Sequence, residues 1–245
     1  MHPLTTTALG LIVALCTPLA ALAADPTLPP FDPANFATSM ANPYFPLQLG
    51  QSHAFTGTRE AEGKTIVETA VMSVVGAGPE ILGVTTMVLL DEAFDDGLIV
   101  ERTFDYFAAD EDGNVWYFGE DVTNFRYDDA GKLTGTDSES AWRAGVNDAL
   151  PGIIMPAAPA VGLSLYQEHA PAEEAMDYAE FLSLDAEVTG PAGTFTGVIK
   201  TFEGSTSDPE LREFKYWAAG YGLIRADEEL SVTLDNPAIV VELQP

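Results

Sequence analysis

Cysteine is almost absent from the chain. Cys16 stands alone among 245 residues, so no disulfide can form within the molecule and a packed core must hold it together. Positive charge is equally scarce. Ten Lys and Arg face 38 Asp and Glu, a formal net charge of −28, and only Lys64, Lys132, Lys200 and Lys215 are lysines. That balance excludes nucleic acid and anionic membrane surfaces as partners, and it attracts cations. Solvation in a salty medium is the plainer account of the acidity, and cation binding the sharper one. Catalytic signatures are missing too. There is no glycine-rich phosphate loop and no His-Glu-x-x-His, and GTFTG at 193–197 carries Phe195 where a nucleophile elbow needs serine. Met40, Met72, Met87, Met155 and Met176 stand apart from histidine, which argues against copper.

One long apolar run exists, from Ala8 to Leu19, followed by small residues at Ala21 and Ala23. It is too short to span a membrane, and Asp25 and Pro26 follow closely. Residues 1–23 therefore read as a signal peptide, although MHPLTTT lacks the usual Lys or Arg, and the protein is expected to be exported to a periplasmic or extracellular space. Leu15 occupies the position where a lipoprotein cysteine needs a small neighbour, which favours removal of Cys16 over lipid anchoring. Residues 24–48 follow with six prolines, which prevent a regular strand or long helix, and with Phe31, Phe36, Tyr44 and Phe45. They read as an extended arm laying its rings on the body.

From 49 to 245 the periodicity is two. KTIVETAVMSVV, VTTMVLL, LIVERTFDYF and NVWYF are rich in β-branched and aromatic residues and are separated by turns such as DDG and EDGN. The spacing predicts a single, mainly β, antiparallel domain: a curved half-barrel or incomplete barrel of about ten strands with little helix. PAEEAMDY (171–178) suits a short helix, with Pro171 in the first turn. The apolar stretch 145–162 is too rich in Pro and Gly for a strand and reads as a plug or lid.

NPYFPLQLG, EDGNVWYFGED, AGVNDALPGIIMPAAPAVG, GPAGTFTGV and YWAAGYGLIR together resemble the landmarks of uncharacterised exported bacterial β-proteins, from about Asn42 to about Arg225. The resemblance implies a curved antiparallel sheet or incomplete barrel and carries no catalytic residues. Its last two segments are similar to a strand-turn-strand ending common to secreted β-proteins, and speak to fold more than to function.

The turn DEDGN (110–114) raises a specific question. Asp110, Asp112 and Asn114 have the spacing of the first oxygen ligands of a calcium loop, and Asp121 stands at its twelfth position. Val115, however, occupies the place of the invariant glycine, and Asp and Asn side chains commonly bond their own backbone in hairpin turns. A two-residue turn at Asp112-Gly113 would pair Phe107 with Phe118, Ala109 with Trp116 and Asp105 with Glu120. The last pair opposes like charges unless water or a cation intervenes. Trp116, Phe118, Trp142 and Met155 are the expected ligand-binding residues of a concave apolar face. Trp217, Tyr106, Tyr117 and Tyr166 are further aromatic candidates for a cavity. His169 with Glu173, Glu174 and Asp177 offers a mixed acid–base or metal set.

Three functional classes follow. The favoured one is an exported, monomeric binding module that holds a small apolar ligand or a cation, with Ca²⁺ at the 110–121 hairpin. A carboxylate- or metal-dependent hydrolase is the second, and a structural envelope-interaction protein the third.

Overall fold

The computed structural model describes residues 25–61 and 63–245; the expected signal peptide and Cys16 lie outside them. Among the described residues, fifteen antiparallel strands build one sheet. In chain order they are β1 (Ser52–Ala61), β2 (Lys64–Ile81), β3 (Val84–Asp95), β4 (Leu98–Ala109), β5 (Val115–Tyr127), β6 (Leu133–Asp137), β7 (Trp142–Arg143), β8 (Leu150–Met155), β9 (Ser164–Tyr166), β10 (Glu168–His169), β11 (Asp177–Gly190), β12 (Gly193–Ser205), β13 (Arg212–Ala218), β14 (Gly222–Glu228) and β15 (Ile239–Leu243). Hairpins carry the chain from β1 to β5, and β15 returns to pair with β1. Strands β6 and β7 pair with β5 off the main path.

The path ends at β10, which pairs with β8, and at β9, which pairs with β11. Gln167 alone separates these two strands in the chain. The run 164–169 therefore bridges both edges of the sheet and brings it round into a nearly closed barrel. Gly152 of β8 lies against this bridge. A Cβ there would stand 2.3 Å from the Gln167 carbonyl oxygen and 2.5 Å from that of Tyr166. Only glycine fits that approach.

The incomplete-barrel expectation holds, with fifteen strands in place of about ten. The extra ones include β6, β7 and β8, two to six residues long and too short to show an alternation. Two local expectations need correction. The 145–162 stretch is not a lid: its middle is β8, part of the wall between β5 and β10, with Pro151 near the strand start where a missing N–H is tolerated. PAEEAMDY is not helical. It forms a turn closed by a bridge between Ala170 and Ala175, with Glu174 at φ 60°, and β11 begins at Asp177. The one helical element among the described residues is a 3-10 turn at Pro33–Phe36, capped by the Asp32 carboxylate.

The β4–β5 register is split. Asp105 does face Glu120, but Phe107 faces Tyr117, Ala108 faces Trp116 and Ala109 faces Val115. The turn spans Asp110 to Asn114 instead of two residues, and an extra β5 residue is taken up at a bulge beside Gly119. Gly119 has φ 122°, and a Cβ on it would lie 2.3 Å from the Trp142 carbonyl oxygen. The bulge thus exists where only glycine can make it.

The segment before β1 lies along the barrel. Phe31 and Phe36 pack edge-on against both Trp116 and Phe118, at 5.7–6.1 Å between ring centres. Phe45 lies 4.8 Å from Phe107 and 5.8 Å from Trp217. The buried Asn42 amide donates to the carbonyls of Gly113 and Pro156.

Gly152→Ala should cost about 3 kcal/mol or more, since neither carbonyl can retreat without opening the bridge. Gly135→Ala, where a Cβ meets nothing within 4 Å, should stay within about 0.5 kcal/mol in the same denaturant titration. Equal stabilities would mean that the bridge can shift freely.

Candidate functional site

The barrel encloses a cavity of about 570 Å³ lined by residues from strands all round the sheet. Its residues fall into two zones. Phe55, Met72, Leu89, Phe107, Trp217 and Leu223 make an apolar floor, backed by Phe45 of the arm. The rest of the wall is charged, with nine carboxyl side chains and only Arg59 and Lys215 as cations. Strand alternation produces this. On β13, Glu213, Lys215 and Trp217 line the cavity, while Phe214 turns to the other face, where Lys200 covers its ring at 3.6 Å.

The two cations are fully committed. Arg59 pairs with Glu68 and, at 2.6 Å, with Asp95. Lys215 pairs with Glu203 at 2.8 Å and Glu213 at 3.2 Å, and Gln167 and Thr201 also donate to Glu203. Lys215 sits deep in the protein, yet 26% of its side chain is exposed, facing the cavity. Burial alone would lower its ammonium, but the Glu203 and Glu213 carboxylates hold it well above the usual value. It is therefore a cation at neutral pH and no nucleophile.

Among the described residues, Asp91, Asp105, Glu168, Asp177 and Glu228 have no ion-pair partner. Burial pushes Asp91 up to about 7, helped by Asp105. It also carries Asp105 to about 7 against the Tyr117 hydrogen bond, and Glu228 to about 7, helped by Glu213. Glu168 rises to about 8 through burial and then Asp177. Asp177 is itself raised, mainly by burial. Beside them Glu120 reaches about 9, through burial and then its neighbours Glu168 and Asp105.

Tyr117 explains how Asp105 and Glu120 tolerate facing each other. Its hydroxyl lies 2.6 Å from Asp105 Oδ1 and 2.9 Å from Glu120 Oε2. A phenol has one proton, so if it donates to Asp105 the second contact needs a proton on Glu120. The like-charge pair is thus relieved by a shared proton chain, an answer distinct from the water or cation that the sequence suggested.

The hairpin candidates are engaged elsewhere. The buried Asp110 carboxylate accepts from the Asp112 and Asn114 N–H groups at 3.0 and 2.8 Å, the Asn114 amide at 2.8 Å and the Trp116 indole at 2.9 Å. Asn114 Oδ1 accepts from the Ala157 N–H. Asp121 accepts from the Tyr106 hydroxyl at 2.7 Å and pairs with Arg143 at 2.6 Å. Asp112 is exposed. A cation here would have to displace those donors. Among the described residues no group of three or more His, Cys, Asp and Glu side chains is disposed to hold a metal.

The expected ligand face is mostly packed. Trp116 and Phe118 lie under the arm's rings, and Met155 is fully buried beside Val115. Only Trp142 approaches the cavity, with its ring 5.3 Å from that of Tyr117. Of the other aromatic candidates, Tyr117 and Trp217 line the cavity, whereas Tyr106 bonds Asp121 away from it. The His169 set is dispersed. His169 rests edge-on against Tyr166, Glu173 takes the Asn147 amide, and Asp177 lines the cavity.

What sequence reading missed is the charged wall. The visible signal was acid or lysine at alternate positions inside strands, as in Asp91-x-x-x-Asp95 and Glu213-x-Lys215, flanked by apolar residues that also alternate.

Two outcomes check this site. Asp110→Ala should cost about 2–3 kcal/mol in urea unfolding, because it strands buried N–H donors, while Asp112→Ala should stay within about 0.5 kcal/mol. Equal losses, larger in calcium than in EDTA, would make the turn a metal loop. The second concerns pH. Folded values of about 7 to 9 exceed unfolded values near 4, so these carboxyls stabilise the fold at low pH and lose that contribution progressively as pH rises from about 4, until it is gone above about 7 to 9. Glu120→Gln should match the parent near pH 5 and exceed it by about 1–2 kcal/mol near pH 9. An unchanged pH slope in thermal unfolding would mean that Glu120 is charged in the folded state.

No protein-family model matches the chain, and no curated protein does. Two solved structures are similar in outline. One, from Bacteroides fragilis, is provisionally described as an exported protein with a YmcC-like fold; it is 16% identical with a TM-score of 0.42, and the match covers 82% of this chain and 97% of that one. The other, from Parabacteroides distasonis, is provisionally described as a lipoprotein; it is 14% identical with a TM-score of 0.42, and the match covers 84% of this chain and 98% of that one. Likeness this distant assigns no activity, and the chemistry of the site rests on its own residues.

Proposed function

We propose that this chain is an exported binding module that holds a small ligand inside its barrel. Export rests on the apolar leader at 1–23. Binding rests on one observation: an interior cavity of about 570 Å³ with an apolar floor and polar wall, within the range of about 300–1,000 Å³ usual for small-molecule sites. A barrel stabilised for its own sake would fill that space with side chains. The ligand position is therefore the lumen, and not the face of Trp116, Phe118 and Met155 first expected.

A hydrolase is the second reading, favoured by the Asp105–Tyr117–Glu120 chain, which sets two carboxyls raised to different extents against one hydroxyl. Turnover of a bound ester or glycoside, lost in both Asp105→Asn and Glu120→Gln, would select it. Calcium at the hairpin is a weaker cation reading, because Asp110 and Asp121 already have donors. A Ca²⁺-selective rise in melting temperature that vanishes in Asp112→Ala would restore it.

The direct test uses N-phenyl-1-naphthylamine, a neutral apolar dye whose fluorescence rises on leaving water. Saturable binding is expected, at least tenfold weaker in Ala93→Trp and Ala70→Trp, which place an indole in the lumen. Unchanged binding in both filled variants, or no saturable binding by the parent, would end the lumen reading.

A further inference from the structure

Resting on that lumen reading, we infer that the ligand class is an amphipathic organic amine, its ammonium held at Asp91 and Asp105 and its apolar part lying on the floor of Phe55, Phe107 and Trp217.

Three observations carry this. First, charge and apolarity meet at one level. Asp91 pairs across the sheet with Met72, and Asp105 with Leu89, so the first carboxyls stand one cross-strand step from floor residues. A ligand bridging the two zones needs a cationic end and an apolar end. Second, Asp91 lines the cavity, and its Oδ1 is buried with no hydrogen-bond partner among the described residues. Buried carboxylate oxygens are normally satisfied, so an orphan at a cavity wall marks a place for an incoming donor. Third, neither cation of the cavity wall pairs with it. Lys215 is held by Glu203 and Glu213, and Arg59 by Glu68 and Asp95.

The alternatives fit less well. An anion would meet nine carboxyl side chains and two committed cations. A bare metal ion would make no use of the floor, and its ligand set is absent among the described residues. A neutral apolar ligand would leave the Asp91 oxygen unsatisfied.

Binding would be linked to protons. The groups facing Asp91 are Asp105 and Glu101 on β4, Lys215 on β13 and Glu228 on β14. An ammonium among them favours their charged forms and so expels protons. Amine affinity should therefore fall as pH drops from neutral toward 5, where those carboxyls are protonated before the ligand arrives.

The test is calorimetric titration of the purified protein with n-octylamine, n-octanol and octanoate, near pH 7.5 and near pH 5.5. Octylammonium should bind at least about tenfold tighter than octanol at the higher pH, and octanoate should not bind; a hydrogen bond to a charged partner accounts for a factor of that order. Titration in buffers of different ionisation enthalpy should show proton release. Asp91→Asn, which keeps shape and relieves a buried acid, should fold with undiminished melting temperature and lose the amine preference while retaining octanol. Equal binding of amine and octanol, abolished by Ala93→Trp, would overturn the cation inference and leave the lumen reading standing. No binding of any of the three would overturn both. An amine preference unchanged in Asp91→Asn and in Asp105→Asn would also overturn the assignment.

Discussion

The structure depends on one short run of chain, Ser164 to His169, that belongs to both edges of the sheet. Its first half pairs with β11 and its second with β8. Without it those edges would present unpaired backbone groups, and the acidic interior would be an open surface. Its middle residue links the closure to the interior charges: the Gln167 N–H donates to the Asp177 carbonyl, and its side-chain amide donates to Glu203, the partner of Lys215. The far side of the run is covered as well. Thr27 of the arm donates to the Ser164 carbonyl and accepts from the Tyr166 N–H. Closure, arm docking and the Lys215 network are therefore one coupled unit, and residues within it should show non-additive mutational effects.

The arm supplies what a polar interior takes away. A barrel whose lumen is walled by carboxyls forgoes much of the apolar burial that would otherwise stabilise it. The missing contacts are made outside and below. Phe31 and Phe36 cover Trp116 and Phe118, and Phe45 backs the floor at Phe107 and Trp217. The six prolines of the arm lower the entropy lost when it docks, because their φ angles are already restricted in the unfolded chain.

Much of the architecture was legible from the sequence, because long strands such as β2, β3 and β4 alternate clearly and are separated by glycine-bearing turns. The site was not, for a physical reason. Alternation tells which residues share a face, but it does not say which face is inside when both carry apolar and polar residues. Reading polar as outward assigned Trp116 and Phe118 to a ligand face, whereas the arm covers them. Nothing in the alternation singled out Asp91, Glu203, Glu213 and Lys215 as one wall of a cavity. The β4–β5 register failed near the turn because Asp110 organises five residues through its own carboxylate, and the Gly119 bulge then restores the Asp105–Glu120 pairing. Neither device shows in a two-residue turn rule.

The acidity of this chain does two kinds of work that composition cannot separate. Outside, carboxylates face water and are screened by salt. Inside, several share a space where they cannot all be charged, and two committed cations leave the balance to protons or to a ligand. The Tyr117 chain shows the proton solution at one wall, where neutralising Glu120 lets Asp105 stay within hydrogen-bond reach of the same phenol. The Asp91 oxygen has no such neighbour and no hydrogen-bond partner among the described residues. A core selected only for stability would replace these groups with well-packed apolar ones, which is often neutral or stabilising. Their placement above an apolar floor is a departure from local folding rules that confined selection for stability does not explain, and such departures concentrate where a protein acts on something else.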